Sequence, residues 1–269
     1  VVLRARRRAA LKRALFAAPL NAERKAILLA RVPLGRALPP DLRRRWEGLV
    51  QVFLAEKTFL GCKGITVTEV MRTTVAGHAC LLVLGQDGES AYPDLSTIYL
   101  YPSTYVRRDE WALDGGLVVR SEGMPFDGES WDRSCVVLSL QAVKEGVREF
   151  DGFNVVIHEF AHQFDALEGE TNGCPPMDLE LRRRWTPTMK AAYDRLVEAD
   201  HRGEETFLDP YGAENPAEFF AVLTEAFLEL PHELETEHPD LFALMVEAYR
   251  LDPRNFHPLV EPVEKPRCL

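Results

Sequence analysis

Apolar residues recur at helical spacing in two early stretches, 22–31 and 40–56. The second, "PPDLRRRWEGLVQVFLAEK", opens on proline and places Leu42, Trp46, Leu49, Val50, Phe53 and Leu54 at helical intervals, the pattern of an amphipathic helix with a proline start. "ITVTEVM" (65–71) reads as a strand and "RTTVAGHACLLVLG" (72–85) as a buried helix. "STIYLYP" (96–102) and "CVVLSLQAV" (135–143) are β-rich and bounded by turn residues, and "GLVVRSEG" (116–123) is a weaker strand. From Asn154 to about Arg250 the pattern is nearly continuous helix, broken at 169–177, 201–214 and 231–238. Residues 252–269, "DPRNFHPLVEPVEKPRCL", make a Pro-rich, loose tail.

Strands mixed with helices, then helices alone, predict an α+β fold in two lobes. With 269 residues the chain divides into a basic segment at 1–20, one domain at 21–251 and the tail at 252–269. No repeat or low-complexity linker interrupts it.

Charge and cysteine usage narrow the class. A net charge of −10 argues against direct nucleic-acid binding. No run of some 20 apolar residues is present to span a membrane. The five cysteines are scattered, with no CxxC pair and no nucleophile motif, as expected of buried thiols in a reducing compartment. The opening "VVLRARRRAALKRAL" carries six Lys or Arg in 13 residues. It reads as a solvated basic helix, as the flank of a membrane anchor lying outside this sequence, or as a contact for anionic lipid. As an anchor flank it would place the domain in the cytoplasm, tethered to the inner face of the membrane.

The chemistry concentrates in "NVVIHEFAHQFDALEG", residues 154–169. As a helix running from Asn154 to a stop at Gly169, it projects His158 and His162 side by side, with Asp165 further along the same face. Two imidazoles so placed can bind one Zn²⁺. Glu159, rotated off that face, can reach an attacking water as a general base. A chain of this length matches HExxH by chance roughly once in a hundred, so the motif needs a third ligand before it means much. His78 lies in an apolar run and reads as a core histidine, while His201, His232, His238 and His257 sit near helix ends or in loops. The strongest candidate is Glu218 in "YGAENPAEFFAVLTEAFLEL", where Asn215 and Pro216 mark a helix start. Asn215-x-x-Glu218 is also the spacing of a capping box, and both readings stand. Glu225 shares the Glu218 face. It and Asp165 would hold a ligand imidazole by its other N–H, or stand as solvated carboxylates. Tyr211 is either an oxyanion donor or a loop tyrosine packed on the helix start.

"HEFAHQFD", followed some 50 residues later by "YGAENPAEFFAVLTEAF", resembles the Mlc titration factor A family of zinc peptidases. The same two blocks are similar to the catalytic domain of anthrax lethal factor. Further blocks extend the family resemblance: "GLVQVFLAEK" (48–57), "YP" (101–102), "DEW" (109–111), "GESW" (128–131), "VVLS" (136–139) and "GFNVVIHE" (152–159). The resemblance covers about residues 30–251. It implies a zincin-like fold of the gluzincin sort, with a mixed sheet, an active-site helix and a helical C-terminal lobe. It implies one Zn²⁺ per chain held by His158, His162 and Glu218, with Glu159 as base and Tyr211 as oxyanion donor. It also implies an extended peptide added to a strand edge supplied by "CVVLSLQ" or "STIYLYP". Where some members carry histidine in a "GLVH" segment this chain has Val119, so no role of that histidine carries over.

The implied activity is peptide-bond hydrolysis, as an aminopeptidase or an endopeptidase. The alternative is a binding module that sequesters a transcriptional repressor of the Mlc type, with weak or latent peptidase activity. Retention of Glu159 favours the enzyme, because a purely structural zinc needs no base.

Overall fold

Helices carry most of the chain in the computed structural model, which describes residues 2–102, 111–112, 118–119, 134–146 and 150–257. In order they are α1 (Val2–Ala17), α2 (Ala22–Arg31), α3 (Pro33–Ala37), α4 (Pro40–Glu56), strand β1 (Thr58–Gly61), α5 (Glu69–Leu82), β2 (Thr97–Tyr101), β3 (Trp111–Ala112), β4 (Val118–Val119), β5 (Cys135–Ser139), α6 (Leu140–Glu145), α7 (Val155–Asp165), α8 (Leu179–Arg202), α9 (Pro216–Glu229), α10 (Pro231–Glu237) and α11 (Pro239–Tyr249). The helices expected at 22–31 and 40–56 coincide with α2 and α4. β1, β2 and β5 form a parallel sheet in the order β1-β2-β5, and β3 pairs antiparallel with β4 as a separate ribbon. The expected mixed sheet is therefore, among the described residues, a parallel sheet plus that ribbon. β2 is paired on both sides, so "STIYLYP" offers no edge to a peptide. β5 has no second partner strand among the described residues.

Four expectations are corrected. "ITVTEVM" is not a strand: Thr68 accepts from the Met71 N–H and starts α5 at Glu69. The β-rich 135–143 segment stops at Ser139, whose side chain caps α6. The supposed break at 231–238 is mostly α10, which opens on Pro231. The first residues of the tail are packed rather than loose: Pro253, Phe256 and His257 are buried, and Arg254 ties Asp252 to Glu235. "GESW", all of "DEW" but Trp111, the flanks of "GLVV" and residues past 257 lie outside the described residues.

The basic segment is helical and docks by its C-terminal half. Gln51 Nε2 on α4 donates to the Leu15 and Ala18 carbonyls, and Lys12 pairs with Glu56. Arg6, Arg7 and Arg13 stay exposed. Among the described residues no helix is long and apolar enough to cross a membrane.

α7 runs through the middle of the core. Phe160 on one flank packs on Phe53 of α4 and on Tyr92, with ring centres 5.7 and 4.9 Å apart. Phe164 stacks on Tyr249 of α11 at 4.8 Å, and Phe227 of α9 stacks on the same ring at 5.4 Å. The Tyr92 hydroxyl donates to the Ala79 carbonyl, and Lys57 Nζ to the carbonyls of Tyr92 and Leu95, so the polar ends of these core residues are satisfied. α5 is buried from Thr73 to Leu82, as expected of a helix apolar all round.

His78 lies inside α5 and is a core residue. Its Nδ1–H donates to the Thr74 carbonyl at 3.0 Å. Burial drives its pKa down to about 4, against the upward pull of that bond. The unfolded chain takes up this proton near pH 6.5 and the folded chain does not until about pH 4. This part of the stability is therefore complete above pH 6.5 and is lost as pH falls toward 4, by about 3 kcal/mol. Urea unfolding from pH 7 to 4.5 should show a steeper loss for the wild type than for His78→Leu. Parallel curves would rule the histidine out as the cause.

Candidate metal centre

Asn154 starts α7. Its side-chain oxygen accepts from the Val156 and Ile157 N–H groups, both at 3.2 Å, as an N-cap does. Val156, Ile157, Phe160, Ala161 and Phe164 are no more than 1% exposed, which fixes the rotation of the helix. The remaining face carries His158 and His162, with ring centres 5.0 Å apart, and turns them toward α9.

α9 meets them with carboxylates. Asn215 accepts from the Ala217 and Glu218 N–H groups at 2.9 and 3.0 Å, so the asparagine half of the capping box is made. The glutamate half is not. Glu218 Oε2 lies 2.9 Å from His158 Nε2 and 3.4 Å from His162 Nε2. The three donor atoms sit within 4.8 Å of one another, the one such cluster of three or more His, Cys, Asp or Glu side chains among the described residues. Ligands about 2.0–2.1 Å from a tetrahedral ion stand about 3.4 Å apart, so two imidazoles and a carboxylate in this arrangement fit Zn²⁺.

Glu225 holds the far side of the first histidine. Its Oε2 accepts from His158 Nδ1 at 2.9 Å, and its Oε1 accepts the backbone N–H of Asn154 at 2.6 Å. One carboxylate thus fixes both the imidazole and the helix start, and leaves Nε2 as the nitrogen facing Glu218. Burial opposes charge on His158, but the hydrogen bonds to Glu218 and Glu225 overcome it and raise its pKa to about 10. Glu218 shows the counterpart: burial favours its neutral form, yet His158 and His162 pull it down to about 2. A proton and a divalent cation compete for the same nitrogen. His162 Nδ1 is buried with no hydrogen-bond partner.

Asp165 does not hold an imidazole. Its oxygens accept the N–H groups of Gly173 and Cys174 at 2.6 and 2.8 Å. Trp185 Nε1 donates to the Gly173 carbonyl. Gly173 has φ +78, and a Cβ there would meet the Pro216 carbonyl oxygen at 2.4 Å. The 172–174 loop is therefore pressed between the end of α7 and the start of α9, beside Glu218, and only glycine suits both the angle and the gap.

Glu159 follows His158 and is half-buried, and its charge adds to the upward pull on the His158 pKa. Tyr211 lies in a short 3₁₀ turn, Pro210–Ala213, that Asp209 caps. Its ring is 43% exposed and centred 5.8 Å from that of His158. His158, Glu159, His162, Tyr211 and Glu218 thus lie on or beside one cluster. The sequence reading missed Glu229, which is buried on α9 and bonded to Asn154. Its signal is the spacing 218, 225, 229, which puts three acids on one face of an otherwise apolar helix.

Comparison with known proteins points to a metallopeptidase family. The family described as glucose-regulated metallo-peptidase M90 matches residues 3–250. A Synechocystis protein of no assigned function is 38% identical over 242 residues, 89% of this chain and 87% of that protein. Mlc titration factor A of Pectobacterium atrosepticum is 34% identical over 225 residues, 82% of this chain and 84% of its own. The Serratia proteamaculans protein of the same name is also 34% identical, covering 82% and 85%. The chain belongs to the glucose-regulated metallo-peptidase M90 family, together with these Mlc titration factor A relatives.

Proposed function

We propose that this chain is a zinc-dependent peptidase with a zincin-like fold of the gluzincin sort. The observation that carries the reading is the convergence of His158, His162 and Glu218, from two helices far apart in the chain, onto one point. These three residues would hold the ion and leave a position open. Zinc there supplies a Lewis acid that polarises a peptide carbonyl and lowers the pKa of a water. Glu159 takes the proton of the attacking water and later delivers it to the leaving amine. The Tyr211 phenol donates a hydrogen bond to the developing oxyanion. Glu225 keeps His158 in the tautomer that presents Nε2. Of the two β segments that could receive an extended peptide, β5 is the one at an edge of the sheet among the described residues, since β2 lies between β1 and β5. The substrate is a peptide or protein, and an aminopeptidase is the narrower form of the reading.

The names of the Mlc titration factor A relatives favour a second reading, in which the chain binds a repressor of the Mlc type. A partner of that kind would place it in the cytoplasm. The two readings are compatible, and a latent peptidase that also binds a repressor would need both surfaces.

Elemental analysis should find near one zinc per wild-type chain, and Glu218→Ala should lose most of it while circular dichroism stays helical. Zinc retained by that variant would remove Glu218 from the ligand set. Glu159→Gln should keep its zinc and any repressor binding while peptide cleavage falls about 10²–10⁴-fold. Undiminished cleavage by that variant would end the general-base assignment.

A further inference from the structure

One acid on α9 that no motif marks is buried as deeply as Glu225. Glu229 is 2% exposed. Its Oε1 accepts from Asn154 Nδ2 at 3.0 Å, and the Gly146 carbonyl at the end of α6 accepts from the same nitrogen at 3.0 Å. An amide nitrogen has two N–H groups, and here both are engaged. The amide can therefore sit one way round only: nitrogen toward Glu229 and Gly146, oxygen toward the Val156 and Ile157 N–H groups. The Asn154 backbone is fixed as well, since its N–H shares the Glu225 carboxylate with His158, and its carbonyl accepts the His158 N–H at 2.9 Å.

We infer that Glu229 is a positioning residue for the metal centre: through Asn154 it sets the start of α7 and so the placement of His158. α9 then acts three times along one face. Glu218 faces the ion site, Glu225 the far nitrogen of the first ligand, and Glu229 the residue from which that ligand's helix begins. The role needs a hydrogen-bond acceptor and not a charge. Burial, reinforced by Asp151 and Glu225 and only partly offset by Asn154, raises the Glu229 pKa well above the usual carboxylate range. Oε1 accepts from Asn154 Nδ2 whether or not the carboxyl is charged, and a glutamine amide oxygen reproduces that acceptor while methionine does not.

The inference rests on the zinc reading, so wild-type zinc binding is measured first. If the wild type binds none, that reading fails by itself. Otherwise zinc affinity is read by chelator competition, and ligand geometry by the visible absorption of the Co²⁺-substituted protein. Glu229→Met should bind zinc about 10-fold more weakly with an altered Co²⁺ spectrum, and Glu229→Gln should restore both to within about twofold of wild type. Asn154→Ser, which keeps a cap but loses the amide donors, should match Glu229→Met, and the double variant should be no weaker than either, because the two act as one unit. A Glu229→Met protein with wild-type affinity and spectrum overturns the inference. So does a Glu229→Gln protein as weak as Glu229→Met, or additive losses in the double variant. If circular dichroism shows Glu229→Met unfolded, Asn154→Ser carries the test, and unchanged affinity there overturns it.

Discussion

The structure turns on the carboxylate of Glu225. A carboxyl group buried this far from water is costly unless its oxygens find hydrogen-bond partners. Here one oxygen takes the N–H that opens α7 and the other takes the imidazole of His158. One belongs to the N-cap of α7 and the other to the helix itself, so a single side chain of α9 fixes how the two helices face each other. The aromatic packing of Phe160, Phe164 and Phe227 brings the helices together without direction. The carboxylate supplies the direction.

The other end of the pair is closed by backbone rather than by charge. Asp165 gathers the Gly173 and Cys174 N–H groups, and Gly173 lies directly against Pro216. The gap into which Glu218 projects is bounded at one end by hydrogen bonds to Glu225 and at the other by main-chain contact. Preorganisation of this kind lets a site hold two carboxyl groups, Glu218 and Glu225, on opposite sides of one imidazole.

Much of this was legible in the sequence, for identifiable reasons. α2 and α4 follow from periodicity, α7 from its cap and apolar flank, and the paired histidines from helical geometry alone. The capping box around Asn215 could not be decided locally, because the competing partner for Glu218 lies 60 residues away in sequence. Asp165 misled for a similar reason: its helical face is right, but its partners are N–H groups of a loop that no pattern places there. "ITVTEVM" failed because β-branched residues suit a strand only when a neighbour pairs with them. Thr68 instead has a helix to cap. β1 was passed over because "TFLG" is four residues long, too short to show alternation.

The three side chains of the candidate metal centre are divided between two helices, His158 and His162 on α7 and Glu218 on α9. During synthesis the histidines leave the ribosome first. At roughly 5–20 residues per second, several seconds pass before the glutamate follows, and α9 must then dock before all three donors meet. A growing or truncated chain that stops short of α9 carries the HExxH sequence with an incomplete set of donors. The order of the chain thus keeps the three groups apart until the fold around them is complete.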